Sequence, residues 1–294
     1  MRSAIRKAIK EAIPELVDVF EPSVPNRATE KPYAVIQQLN DIESVQGAVG
    51  SERKISIWIY NDRTSFKELD SMQKRVVEAI NFRSLHDEET NKYFTCIYKG
   101  VTSSDINDPD WDIIARPLSF SVIALDKADN VTSDSEVEVV CNFLEGILKN
   151  NNGVNISVFR DGWNQNLTVP AVLVRTNKVE RKTIVNDLHQ VDKSMKIHVV
   201  DTDIDRLINI LERIENRLIL DKKITFDYIL KTGRKVKWKL ELARLSEDRE
   251  SDMFTLGQIT ATFRYFIKPN IKHKTIDNIY DDKGLWIRKE VDNG

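Results

Sequence analysis

The segment "RKISIWIYND" (Arg53–Asp62) has a counterpart in the other half of the chain, "SMKIHVVDTD" (Ser194–Asp203). In the first, Ile55, Ile57 and Ile59 share one face of an extended strand, with Ser56, Trp58 and Tyr60 on the other. In the second, Ile197 and Val199 take the positions of Ile55 and Ile57. An amphipathic run follows each. Leu69, Met72, Val76 and Ala79 or Ile80 form the first stripe, and Leu207, Leu211, Ile214 and Leu218 the second. A strand with bulky side chains on both faces needs cover on both, and each helix must bury its stripe. A chain that writes this unit twice is constrained to pack sheets against helices in two passes.

The flanking segments keep a common order. Ile5, Ile9, Ala12 and Ile13 give a helix over Ser3–Ile13 that Pro14 kinks or ends, and "ELVDVF" is read as the start of a second short helix. "KPYAVIQQLN" is a strand with Pro32 at its start, where no ladder hydrogen bond is lost. Ser65 and Glu68 form a capping pair for the helix Phe66–Phe82, and "KYFTCIY" and "RPLSFSVIAL" are two further strands.

The second pass opens on Ser133 and Glu136, another capping pair, before a helix carrying Val137, Val140, Leu144 and Ile147 or Leu148. Asn152-Gly153 ends that helix, and "NISVFR" is read as an extra strand. "VPAVLVRTN" matches "KPYAVIQQLN"; the helix Ile204–Leu220, "KWKLELARL" and "ITATFRYFI" complete the plan. The expected fold is α+β: two tandem, similar modules, each a roughly four-stranded, mainly antiparallel or mixed β-sheet packed against helices. The modules span residues 1–128 and 133–268, divided within the polar stretch Asp126–Ser135, and residues 269–294 form a C-terminal arm.

Composition supports a folded chain: 41% hydrophobic and 31% charged residues supply a core and argue against wholesale disorder. A net charge of -2 argues against nonspecific coating of nucleic acid but leaves room for a local basic surface. Cys96 and Cys141 are too few for a disulfide scaffold and sit among apolar residues, as buried thiols do. "MRSAIRKAIKEAIPEL" carries charges where a signal peptide needs an apolar core, and no run has the ~20 apolar residues of a membrane span.

Catalytic signatures are missing: there is no Gly-rich phosphate loop, nucleophile elbow, H-E-x-x-H or paired C-x-x-C. His86, His189, His198 and His273 are scattered, and His86 falls in a charged turn beyond a helix. The acidic run "SSDINDPDWD" (Asp105, Asp108, Asp110, Asp112) lacks the turn glycine and twelfth-position glutamate of a calcium loop, and Pro109 restricts its backbone. A polar loop between strands is the expected form. No enzyme activity, metal or cofactor is expected.

"LKTGRKVKWKLEL" reads as a hairpin turning at Thr232-Gly233. Lys235, Lys237 and Lys239 alternate with Val236, Trp238 and Leu240, and Lys231 and Arg234 add charge at the turn. Two readings stand: a solvated hairpin whose lysines discourage stray edge pairing, or a basic finger that meets an acidic partner or DNA. "NDIESVQGAVGSER" and "NKVERKTIVNDLHQVDKS" are expected as long loops between equivalent strands, suited to binding other chains. The arm carries Ile279, Leu285, Trp286 and Ile287, which suits packing on a neighbour.

From "IRKAIKEAI" through "KPYAVIQQLN", "KISIWIYND", "LDSMQKRVVEAI" and "YFTCIYKG" to "RPLSFSVIAL", the first module resembles the tail terminator or tail completion proteins of tailed bacteriophages. The resemblance covers roughly Ala4–Leu125, and the second module repeats the plan more loosely. It implies a small α+β domain that assembles as a ring, a hexamer by family habit, capping the tail tube at the junction with the head. The implied partners are further copies of the chain, the tail tube protein, the sheath and neck or head-completion proteins, with transient nonspecific contact to genomic DNA and no membrane. The implied location is the virion, after synthesis in the host cytoplasm. Two fused modules depart from the single-domain family pattern and leave open how many chains close a ring.

Overall fold

The computed structural model describes residues 1–42, 52–63, 66–125, 134–149, 154–185, 188–229, 235–267, 275–280 and 286–291. The first half runs α1 (Arg2–Ala12), β1 (Val19–Phe20), β2 (Tyr33–Ile42), β3 (Glu52–Asp62), α2 (Phe66–Ile80), β4 (Ser84–Asp87), β5 (Lys92–Val101), β6 (Ile106–Asp108) and β7 (Ile113–Ala124). The second runs α3 (Ser135–Leu148), β8 (Ser157–Arg160), β9 (Ala171–Val185), β10 (Leu188–Val200), α4 (Ile204–Asp221), β11 (Lys223–Ile229), β12 (Lys235–Glu247) and β13 (Ile259–Ile267). β14 (Thr275–Tyr280) and β15 (Trp286–Val291) form a separate two-stranded sheet.

The two main sheets have one topology. The first orders its strands β1-β2-β3-β7-β5-β4, with β6 beside β7; the second orders them β8-β9-β10-β13-β12-β11. Position for position, the pairings agree in direction. β1 runs parallel to β2 and β8 to β9, and every other corresponding pair is antiparallel. The protein is thus an α+β fold of two tandem, similar modules, each a curled mixed sheet packed against helices. The four strands expected in each module form the sheet's centre. "NISVFR", read as an extra strand, is instead the counterpart of β1.

Helix stripes explain the layers. Ile5 and Ile9 of α1 and Leu69, Met72, Val76 and Ile80 of α2 are buried on Ile36, Ile55, Ile57, Ile59, Leu118 and Phe120. Val137, Val140, Leu144 and Leu148 of α3 and Leu207, Leu211, Ile214 and Leu218 of α4 are buried in the same way on the second sheet. Each such aliphatic side chain contributes about 1.5–3 kcal/mol on leaving water. Helix α4 starts where Asp203 accepts hydrogen bonds from the backbone N–H groups of Asp205 and Arg206.

Several local expectations are corrected. "ELVDVF" forms no second helix; backbone bonds from Val17 N to Pro32 O and from Ala34 N to Asp18 O draw it alongside β2 as β1. Helix α3 is capped by Asp134, whose side chain accepts from Glu136 N, and Ser133 lies outside the described residues. The expected loop within residues 177–194 is a hairpin: β9 and β10 stay paired up to Val185 and Leu188. His86 lies in strand β4, not in a turn. Tyr33, next to Pro32, pairs with Tyr60 as Ala171, next to Pro170, pairs with Val200; on that equivalence Ile197 matches Ile57 and Val199 matches Ile59, two residues from the expected alignment, and Ile259 opposite Ile197 matches Leu118 opposite Ile57. The expected module boundary and the first long loop fall largely on residues outside the description, 126–133 and 43–51.

Candidate partner-binding faces

The outer face of the first sheet, away from its helices, is partly covered by the second module. Ile97, Ile123 and Leu125 meet Phe159, Trp163, Leu167, Ala171, Leu173, Val200 and Phe254 in one buried cluster. Phe82 stacks on Phe254 with ring centroids 5.7 Å apart, and Trp163 donates its indole N–H to the carbonyl of Phe254 at 3.2 Å. Polar contacts rim the cluster: Lys99 pairs with Asp252 at 3.0 Å, and Ser84 donates to the Gln165 carbonyl at 2.7 Å. An apolar centre with a polar rim is the anatomy of a protein–protein interface, here built within one chain.

His198 lies beneath this junction, fully buried. Its Nε2 accepts from Arg175 Nε at 3.1 Å, so Nδ1 carries the proton and donates to the Met253 carbonyl at 3.0 Å. Burial first, and then the Arg175 charge, push its pKa down to about 3. Gly257, at φ +75°, backs onto the ring; a Cβ there would come within 2.9 Å of Cδ2 and Nε2. With both nitrogens engaged, His198 positions the β12–β13 connection and offers no free base.

The basic hairpin expected at 231–239 is formed by β11 and β12, with Lys235, Lys237 and Lys239 opposite Ile229, Asp227 and Thr225. Lys231 and Arg234 lie outside the described residues, as does the turn at Thr232-Gly233. Lys237 and Lys239 are exposed, and Trp238 between them turns inward, 5.9 Å from the Tyr265 ring. The register adds what the sequence reading missed. Lys223, Glu241, Arg264, Asp192 and Glu180 form one row across five strands, with Lys223–Glu241 at 3.5 Å and Arg264–Asp192 at 2.8 Å. Arg244 and Lys178 share the next row through Thr262 and Ser194. Lys237 and Lys239 therefore border a sheet face of mixed charge, in which Lys223 pairs with Glu241 and Arg264 with Asp192.

The acidic run near 105–112 is occupied by internal contacts. Asp105 takes two hydrogen bonds from Arg116, at 2.6 Å each, and that contact holds its carboxyl below the usual range. Asp108 accepts from the backbone N–H groups of Asp110 and Trp111, and Asp112 lies 3.9 Å from Arg63. His86 stacks on Tyr93, and His189 meets Thr183; His273 is outside the described residues. Among the described residues, no group of three or more His, Cys, Asp or Glu is placed to hold a metal ion, and no helix is long and apolar enough to cross a membrane. Cys96 and Cys141 are buried and in no disulfide, and burial raises the Cys96 pKa.

No protein-family model matches this chain, and no curated protein does. Among solved structures, a chain described as "Virion of native gene transfer agent (GTA) particle" aligns at TM-score 0.33 and 13% identity, over 42% of this chain and 93% of that one. This is a distant, partial structural likeness to a virion protein, and at that score it carries no functional argument.

Proposed function

We propose that this chain is a structural virion protein of a tailed phage or related particle, one that caps the tail tube as a ring and joins tail to head. The observation that carries the reading is the element order of both modules: helix, strands, helix, strands, in the sequence of the tail terminator family that residues 4–125 resemble. A duplicated scaffold suits a wall segment, because a second copy adds contact surface. The side chains that sequence reading offered for chemistry support this reading too, since Asp105 and His198 are engaged in internal contacts. Lys235, Lys237 and Lys239, with Lys231 and Arg234, take an electrostatic role toward a neighbouring chain or passing DNA, where phosphate contact need not fix a base register. A station elsewhere in the neck or tail is the second reading.

Deleting the gene tests the proposal. DNA-filled heads and separate tails should accumulate in the lysate, and adding the purified protein should restore joined particles. Complete, infectious particles made without the chain would overturn it.

A further inference from the structure

The internal repeat identifies a second interface surface. Strand register gives residue-level equivalence between the modules. Tyr33 pairs with Tyr60 and Val35 with Trp58 in the first; Ala171 pairs with Val200 and Leu173 with His198 in the second. Phe20 lies opposite Val35 as Phe159 lies opposite Leu173. The second module's Phe159, Ala171, Leu173 and Val200 are the strand residues in the cluster it shares with the first module, beside Trp163, Leu167 and Phe254 of its connections. Three of their equivalents in the first module, Phe20, Tyr33 and Tyr60, join Trp58, the equivalent of His198, in an aromatic patch: Tyr33 stacks on Tyr60 at 4.8 Å, Tyr60 on Trp58 at 6.3 Å, and Phe20 meets Tyr33 edge-on at 5.7 Å. Phe20, Trp58 and Tyr60 remain half-exposed above the buried Tyr33.

The receiving side has an equivalent as well. Ile97, Ile123 and Leu125 hold the second module; aligning Leu118 with Ile259 on the common register places Arg244, Arg264 and Phe266 at their positions. Phe266 is 49% exposed, the Arg264 side chain 41%, and Arg244 is exposed. The junction within the chain joins Ile97, Ile123 and Leu125 to a surface of mixed aliphatic and aromatic residues; its unused copies would join aromatic rings to the Arg244 guanidinium and to the face of Arg264, whose N–H groups are held by Asp192. Arginine stacks favourably on Trp and Tyr faces, and aromatics with arginine are the residues enriched at protein interfaces.

We infer that a second copy of this chain docks its Arg244–Arg264–Phe266 face onto the Phe20–Trp58–Tyr60 patch, repeating between chains the junction that exists within one. The two surfaces lie on different modules; met head to tail, the contact is heterologous and closes a ring of alternating modules where its rotation closes. The inference rests on the repeat and holds whatever the chain's station in a particle.

The test places photoreactive benzoylphenylalanine at position 58 of the full chain, mixes it with isotopically heavy unmodified chain, and irradiates at concentrations where sedimentation detects association. Light-to-heavy cross-links within residues 239–266 are expected. Intermolecular cross-links confined to other segments, or a chain that stays monomeric up to its solubility limit, would overturn the inference. Arg244→Glu, at an exposed position, should leave circular dichroism unchanged and weaken self-association about tenfold; unchanged association would also overturn it. Either failure is distinguishable from failure of the tail-joining reading, which is decided by the particles made without the gene.

Discussion

His198 carries the clearest residue-scale consequence of the junction. Its neutral ring serves Arg175 and Met253 at once, and protonating Nε2 would set a second cation against the guanidinium. The folded pKa of about 3 lies below the ordinary histidine value of 6.5. Between those values the unfolded chain binds a proton that the folded chain does not, so stability falls as pH falls through that window and is unaffected by this group above it. His198→Gln should therefore flatten the pH dependence. Between pH 3 and 6.5 the native protein's unfolding free energy should fall with acidification more steeply than the variant's, by up to about 1.4 kcal/mol per pH unit. Urea titrations at several pH values measure this, and parallel slopes would contradict it. Nothing in "KIHVVD" marks His198 apart from its alternation with apolar residues, because Arg175 and Met253 reach it only through the fold.

At the scale of elements, legibility followed periodicity. Helices α2, α3 and α4 were readable because Leu69–Met72–Val76, Val137–Val140–Leu144 and Leu207–Leu211–Ile214 repeat at helical spacing and are all buried. Strand β1 has only two residues, too few for any period to register. The distal part of β9 reads as a loop in the sequence because "NKVERKTIV" is mostly polar and bears no continuous apolar face, although β10 supplies its ladder. The junction was invisible for a different reason. Trp163 and Phe254 lie in connections, and their shared cluster with Ile97 and Ile123 forms only when two modules meet. Trp163 is 1% exposed, and Trp163→Ala should cost about 3–5 kcal/mol, the usual range for emptying a large aromatic site. The loss should also uncouple the modules, so that calorimetry resolves two unfolding transitions where the native chain gives one. A single transition shifted by less than the equivalent of 1 kcal/mol would contradict the assigned role.

Across the whole molecule, one topology occurs twice, and the two copies differ most in what they present outward. The first module buries aliphatic residues on its partner module and carries an aromatic patch; the second carries a sheet face of mixed charge that includes Lys237, Lys239, Arg244 and the Arg264–Asp192 pair. Such division of surfaces on a shared scaffold suits a wall segment that meets different neighbours on different sides. The C-terminal hairpin of β14 and β15 belongs to neither main sheet, and a lone two-stranded hairpin is marginal in water, so we propose that it docks on an adjoining chain. The most direct test of the tail-joining account is a cryo-EM reconstruction of the neck and tail end of the particle whose genome encodes this chain. The account predicts density for both modules, in a closed ring at the head-proximal end of the tail tube. Finding the chain in the capsid shell or the baseplate, or absent from the particle, would contradict it.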